Sequence, residues 1–182
     1  RKKHLSVIMS LHELDLAERV SDKVLCVKGD RVQRFGIPEE IFTSGYIKEL
    51  FGLTAGSFEE ESGTMELEAP KGEAKVFVIA GGGCGSRVYR RLQREGTPFA
   101  AGILFENDRD YLSARSLAVQ VVAAEAFAEI TKEQIKKAKA LIDSCTQVIC
   151  CKEQFGAWDR ANGDLLEYAK QQGKDVCMLW KV

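Results

Sequence analysis

A glycine-rich stretch near the middle of the chain has the residue types and spacing of an anion-binding loop. Apolar residues 76–80 predict a short buried strand, and the polar residues from position 86 onward predict a helix. Between these elements lie the candidate ligand-binding residues Gly81, Gly82, Gly83, Gly85 and Ser86. The first amides of a helix have no partner within it, and the helix dipole is positive there. A glycine turn into a helix therefore predicts a site for an anion, commonly a phosphate.

The spacing Gly81-x-Gly83-x-x-Ser86 is close to the dinucleotide-binding fingerprint, although Ser86 stands where that pattern has its third glycine. The alternative interpretation is a tight strand-to-helix turn that binds nothing.

A second group of candidate ligand-binding residues, Glu106, Asn107 and Asp108, follows the predicted strand 99–105. Glu106 lies about 25 residues after Gly81, roughly where a dinucleotide site places its ribose-binding acid. The alternative is a solvated turn that caps the next helix, and the sequence leaves both open.

The elements that would position these residues alternate between strand and helix. Five apolar runs, at 76–81, 99–105, 120–124, 146–151 and 175–180, predict strands. Helical patterns separate them, and one begins with the capping box Thr131 and Gln134. This alternation predicts an α/β fold, a five-stranded parallel Rossmann-like sheet with helices on both faces and its first strand in the centre.

The six cysteines predict buried free thiols, because the sequence has no CxxC pair and only two histidines. Cys84 differs, since it lies in the glycine loop near a helix N-terminus that favours a thiolate. We expect it to be a bystander.

The first part of the chain predicts a smaller α+β arrangement. Residues 5–11 are a strand candidate and residues 13–21 an amphipathic helix. Two strands at 24–36 form a hairpin around Gly29-Asp30, and Pro38 begins a helix. A further short helix ends at Gly52.

This order of elements resembles the end of the nucleotide-binding subunit of an ABC transporter. The segment VIMSLHELDLAERVSDKVLCVKGDRVQRFGIPEEIFTSGYIKELFGL is most similar to importers for iron(III)-siderophores, haem and cobalamin. The resemblance implies that His12 is the switch histidine, which contacts the ATP γ-phosphate and orders the attacking water. Residues 1–53 would then be a small α+β remnant of the ABC ATPase domain.

The resemblance also implies cofactors and partners. The phosphate loop, the signature motif and the Walker B acid are not among the 182 residues, so we expect hydrolysis of ATP with Mg only in an intact subunit. The chain opens on Arg1 without an initiating methionine, for which the two explanations are a start inside a longer gene product and the removal of a tag. Implied partners are transmembrane permease subunits and a second ATPase subunit in a homodimer. The implied location is cytoplasmic, peripheral on the inner face of the cell membrane.

Glycine, serine and acidic residues dominate positions 54–74, which predicts a linker. Residues 75–182 would then form a Rossmann-like accessory domain. This half is similar to a C-terminal extension of some cobalamin- and iron-type ABC ATPases, through its GGG-x-G start, the stretch from Ala101 to Asp108, and Glu125-x-Phe127.

Three hypotheses follow for the accessory domain. It binds a nucleotide or another small molecule and regulates transport, it is a small NAD- or nucleotide-dependent enzyme, or it is a non-catalytic dimerisation module. The enzyme hypothesis lacks an evident general acid or base, since neither histidine lies beyond the linker. The formal net charge of -1 argues against a nucleic-acid partner.

Overall fold

A computed structural model describes residues 5–51, 57–59, 64–66 and 68–179. By its internal contacts the chain divides into two compact units, Arg1–Met65 and Glu66–Val182. No helix among these described residues is long and apolar enough to cross a bilayer.

The first unit begins with a helix, a hairpin and two short helices. Its elements are α1 (Leu14–Val20), β1 (Val24–Lys28), β2 (Arg31–Gly36), α2 (Pro38–Ile41) and α3 (Ser44–Phe51). The predicted hairpin is confirmed: β1 and β2 pair in antiparallel fashion, and Gly29 takes the positive φ of 63° that the turn requires. The predicted helix end at Gly52 lies outside the described residues.

The strand predicted for residues 5–11 is wrong. Residues 5–13 have no regular secondary structure, and most of their apolar side chains face solvent, Ile8 being 99% exposed. A strand satisfies its backbone amides and carbonyls on a neighbouring strand, and no described strand pairs with this segment. Apolar composition alone therefore does not make it a strand.

Two short strands, β3 (Ser57–Glu59) and β4 (Thr64–Glu66), form a two-stranded sheet inside the segment that the sequence predicts to be a linker. The boundary between the compact units also falls earlier, after Met65, than the predicted end of the linker.

The second unit alternates strand and helix as the sequence predicts. Its strands are β5 (Val76–Ile79), β6 (Phe99–Phe105), β7 (Gln120–Ala124), β8 (Gln147–Cys150) and β9 (Asp175–Met178). Its helices are α4 (Ser86–Arg94), α5 (Arg109–Leu117), α6 (Lys132–Ser144) and α7 (Arg160–Gln171). The sheet is parallel, with the order β7-β6-β5-β8-β9. The predicted fold class and the central position of the first strand are confirmed.

Each face of this sheet carries its own core because successive side chains of a strand point in opposite directions. Val76 and Val78 of β5 pack on one face in a cluster that includes side chains of α4 and α5. Phe77 and Ile79 pack on the other face with α6 and α7. The chain reverses its direction of travel across the sheet between β5 and β8, so their carboxyl ends border the crevice where ligands of such sheets bind.

Candidate functional site: the glycine loop and its neighbours

The glycine loop leaves the carboxyl end of β5 through three residues in left-handed backbone conformations. The φ angles of Gly81, Gly82 and Gly83 are 145°, 72° and 91°, which residues with a Cβ rarely adopt. Gly85 then caps α4, which begins at Ser86. The predicted strand, glycine turn and helix N-terminus are all present.

The amides of this loop have an acceptor within the protein, the fully buried carboxylate of Asp110. It accepts hydrogen bonds from the amides of Gly81 (2.9 Å), Gly83 (3.1 Å), Gly85 (3.0 and 3.1 Å) and Ser86 (3.1 Å). The Ser86 hydroxyl donates to the same carboxylate at 3.2 Å. A carboxylate thus lies where a bound phosphate would accept from these donors.

Asp108 completes the arrangement. Its side chain accepts from the Gly82 amide at 2.8 and 3.0 Å, and it also caps α5 by accepting from the Asp110 amide at 2.9 Å. The capping interpretation of the Glu106-Asn107-Asp108 turn is therefore realised by Asp108. Glu106 and Asn107 are exposed, and the Glu106 backbone amide donates to the Ala124 carbonyl at 2.9 Å.

Gly85 is required for space rather than for its backbone angles. A Cβ placed on it would lie 2.6 Å from the Tyr89 ring and hydroxyl and 2.7 Å from the Ala80 Cβ. This close approach of helix to strand is what the third glycine of the dinucleotide fingerprint usually allows. In this chain Gly85, one residue before the usual third glycine, allows the close approach of the helix to the strand. This explains why a serine is tolerated at position 86.

Lys152 approaches the loop from the end of β8. Its ammonium pairs with the Asp159 carboxylate at 2.6 Å, and both side chains are mostly buried. A Cβ added to Gly81 would lie 3.5 Å from the Lys152 Nζ, so this cation borders the loop. Two aromatic residues follow Lys152: Phe155 packs against the core, whereas Trp158 is 65% exposed.

Three further side chains with titratable groups belong to the loop or its surroundings: Cys84, Cys151 and Tyr89. The Cys151 thiol is the main cause that lowers the pKa of its neighbour Cys84, and the same interaction together with burial raises the pKa of Cys151. Burial also raises the pKa of Tyr89 well above its usual value. The Tyr89 ring stacks on Phe99 with centroids 5.3 Å apart, and its hydroxyl has no partner among the described residues.

The buried side-chain amide of Asn162, on α7, forms hydrogen bonds with the neighbouring strand β6. Its pairing with β7 slips between Gly102 and Leu104, which leaves Ile103 without a place in the ladder. The Asn162 side chain makes the two hydrogen bonds that β7 does not make to Ile103. It accepts from the Ile103 amide at 2.7 Å and donates to the Ile103 carbonyl at 2.9 Å.

The sequence does not identify Asp110, Asn162 or Cys151 as site residues. In the sequence, Asp110 has the position of an acidic residue in the first turn of a helix, which is common in any helix. The one available signal is that it follows an Asn-Asp turn at the carboxyl end of the strand next to the glycine loop. The candidate residue His12 lies in the first unit, exposed and just before α1.

Comparison with known proteins relates this chain to the ATP-binding subunits of ABC transporters. The MJ0874 family matches residues 99–181. The ABC transporter ATP-binding protein MJ0873 of Methanocaldococcus jannaschii is 36% identical over 92 residues, which is 50% of this chain and 32% of that protein. The cobalamin import ATP-binding protein BtuD of Halobacterium salinarum is 26% identical over 132 residues, 69% of this chain and 33% of that protein.

The hemin import ATP-binding protein HmuV of Plesiomonas shigelloides is 35% identical over 63 residues, 34% of this chain and 24% of that protein. The resemblance to the ATP-binding subunits of ABC transporters is confirmed by these similarities. It spans about a third or less of the length of these curated relatives.

Proposed function

We propose that the chain is the C-terminal region of the ATP-binding subunit of an ABC importer for iron(III) complexes or cobalamin. The observation that carries this proposal is the similarity to subunits named for cobalamin import and hemin import. Within the intact subunit, ATP and Mg bind to motifs outside this chain, and His12 contacts the γ-phosphate and orders the attacking water. The subunit works as a homodimer on transmembrane permease subunits, at the inner face of the membrane.

The exposed apolar residues of the first unit support this placement. Leu5, Val7 and Ile8 are each more than two thirds exposed, an unfavourable arrangement for a segment facing water. The remainder of an ABC ATPase domain would cover them and supply the strand partner that residues 5–11 lack.

For the second unit we propose an accessory domain that binds a nucleotide or another small ligand and regulates transport. The carboxyl ends of β5 and β8 border a crevice of the kind that binds ligands in parallel sheets, and Lys152 supplies a cation there. An anionic group that binds to the amides of Gly81, Gly82, Gly83, Gly85 and Ser86 competes with Asp108 for the Gly82 amide and with Asp110 for the other four. Because Asp110 lies in the first turn of α5, its displacement would move the start of that helix and provide a signal.

A non-catalytic interaction module is the second candidate, and one observation favours it. Asp108 and Asp110 already satisfy the loop amides, so the loop is stable without any ligand. In this reading the glycines serve only the turn and the close packing of α4.

Native mass spectrometry of the 182-residue chain against ATP, ADP, NAD, NADP, a corrinoid and haem separates the two candidates. Gly83→Val is the test variant, because the space at this position is open and a side chain there blocks approach to the loop amides. Gly96→Val is a matched control, since Gly96 also has positive φ and open space but lies at the far end of α4. Circular dichroism checks that both variants fold.

One bound ligand, lost in Gly83→Val and kept in Gly96→Val, supports the ligand-binding domain at this loop. Binding that survives Gly83→Val rules out the loop as the site. If none of the six compounds binds, the result favours the interaction module. In the intact subunit, His12→Ala should abolish ATP hydrolysis, while deletion of residues 75–182 should leave hydrolysis and alter its response to the imported compound.

A further inference from the structure

Two cysteines far apart in the sequence meet at the crevice. Cys84 lies in the glycine loop, where its thiol donates to the Gly81 carbonyl at 3.1 Å. Cys151 directly follows β8, and its amide donates to the Ile79 carbonyl of β5 at 2.9 Å. Both residues are therefore held at the carboxyl end of β5, Cys84 on the Gly81 carbonyl and Cys151 on the Ile79 carbonyl, and Cys151 packs in one cluster with the intervening Ala80.

The alternation of side chains along β8 selects Cys151 over Cys150. Cys151 packs in the cluster that holds Ala80 and Tyr89, on the face covered by α4 and the glycine loop. Cys150 is fully buried in the cluster of the opposite face. The Cys150 thiol is therefore separated from the glycine loop by the sheet, which makes Cys150 a control for Cys151.

The two partners differ in accessibility. Cys84 is exposed, whereas Cys151 is 8% exposed. The pKa of Cys84 is lowered, chiefly by its neighbour Cys151 and further by the Gly81 backbone and the Lys152 ammonium, although burial and the Asp110 carboxylate act in the opposite direction. An accessible thiol with thiolate character next to a second, shielded thiol is the arrangement of an attacking and a resolving cysteine.

We propose that Cys84 and Cys151 form a redox-sensitive site that hydrogen peroxide oxidises to a disulfide. The Cys84 thiolate attacks one peroxide oxygen, an S–O bond forms as the O–O bond breaks, and the leaving hydroxide takes up a proton to become water. The Cys151 sulfur then attacks the Cys84 sulfur. An S–S bond forms, the S–O bond breaks, and hydroxide leaves with the Cys151 proton as a second water.

The balance is a two-electron oxidation of two thiols to one disulfide, with the peroxide reduced to two molecules of water; a dithiol reductant reverses it. The disulfide would tie the glycine loop covalently to the end of β8. The two sides of the crevice would then be fixed to each other, and an anion could no longer open the loop.

The test is peroxide treatment of the reduced 182-residue chain, followed by blocking of remaining thiols and peptide mass spectrometry without reduction. We expect a peptide pair joined through Cys84 and Cys151 in the wild type and in Cys150→Ser. Neither Cys84→Ser nor Cys151→Ser should form it. In Cys151→Ser, the Cys84 sulfenic acid should persist and react with dimedone, because no resolving thiol is present.

Three results would overturn the proposal. The first is a folded wild type that forms no Cys84–Cys151 link under peroxide that oxidises free cysteine. The second is a link from Cys84 to a different cysteine. The third is dimedone labelling of Cys84 that is equal in the wild type and in Cys151→Ser. The first two depend only on the wild type, so a variant that fails to fold leaves the test decisive.

Discussion

The Asp110 carboxylate accepts the Gly85 amide at 3.0 and 3.1 Å, at the point where the glycine loop becomes α4. The two residues come from neighbouring strand-to-helix connections, so this contact joins the ends of β5 and β6. Because the carboxylate is fully buried, it is held by the loop and not by water.

Asp110→Ala should lower the free energy of unfolding of the chain by about 3 kcal/mol, because several amides lose a charged acceptor. Urea unfolding measures the loss. Millimolar inorganic phosphate should restore part of it, since the freed amides form an anion site. Asp164→Ala, at an exposed position of α7, is the control for lost charge and should change little. Equal stability of the two variants would show that the Asp110 contacts contribute nothing.

Gly85→Ala and Gly82→Ala should differ, since the two glycines are needed for different reasons. A Cβ at Gly85 would collide with Tyr89 and Ala80 inside the core, and we expect a loss of about 3 kcal/mol. A Cβ at Gly82 meets open space, so the strain of a φ of 72° should cost only about 1 kcal/mol. Urea midpoints of both variants give the comparison. A larger loss for Gly82→Ala would contradict the packing argument.

Asn162→Leu should destabilise the second unit by about 3 kcal/mol. The change keeps the side-chain volume similar but leaves the buried amide and carbonyl of Ile103 without partners. Gln171→Leu, an exposed amide in the same helix, is the matched control and should be nearly neutral. Thermal unfolding followed by circular dichroism gives both values, and a neutral Asn162→Leu would mean that another group satisfies Ile103.

Stability should fall in alkaline solution partly because of Cys145. Burial raises the pKa of its thiol from 9.0 to about 11 in the folded chain. The folded state therefore holds a proton that the unfolded state releases, and the stability present below pH 9 is lost as the pH rises to about 11. The loss is about 2 kcal/mol. Unfolding of the wild type and of Cys145→Ala across this range isolates it, because the other groups cancel in the difference. A constant difference would contradict the raised pKa.

Local patterns in the sequence account for most of the second unit. The strands at residues 99–105 and 120–124 have the predicted bounds, since buried β-branched and apolar runs specify strands without help from distant residues. The Thr131–Gln134 capping box forms as predicted, because both of its hydrogen bonds lie within one helical turn.

The features that escaped prediction depend on residues brought together only by folding. Residues 5–11 have the composition of a strand, but a strand also needs a partner. The role of Asp110 becomes visible only when the β5 and β6 connections are placed side by side. Asn162 acts 59 residues away from the irregularity that it repairs. None of these relationships leaves a periodic signal in the chain.

Because the amides of the glycine loop already donate to Asp110, a ligand that binds to them must first displace this carboxylate. Asp110 acts as a competitor tethered to its own receptor, so its effective concentration at the loop amides is on the order of millimolar or more. Free phosphate at lower concentration loses that competition. Under the proposed function, a molecule that opens the loop must make additional contacts, for example to the crevice beyond β8, and this requirement would favour a whole ligand over its phosphate alone.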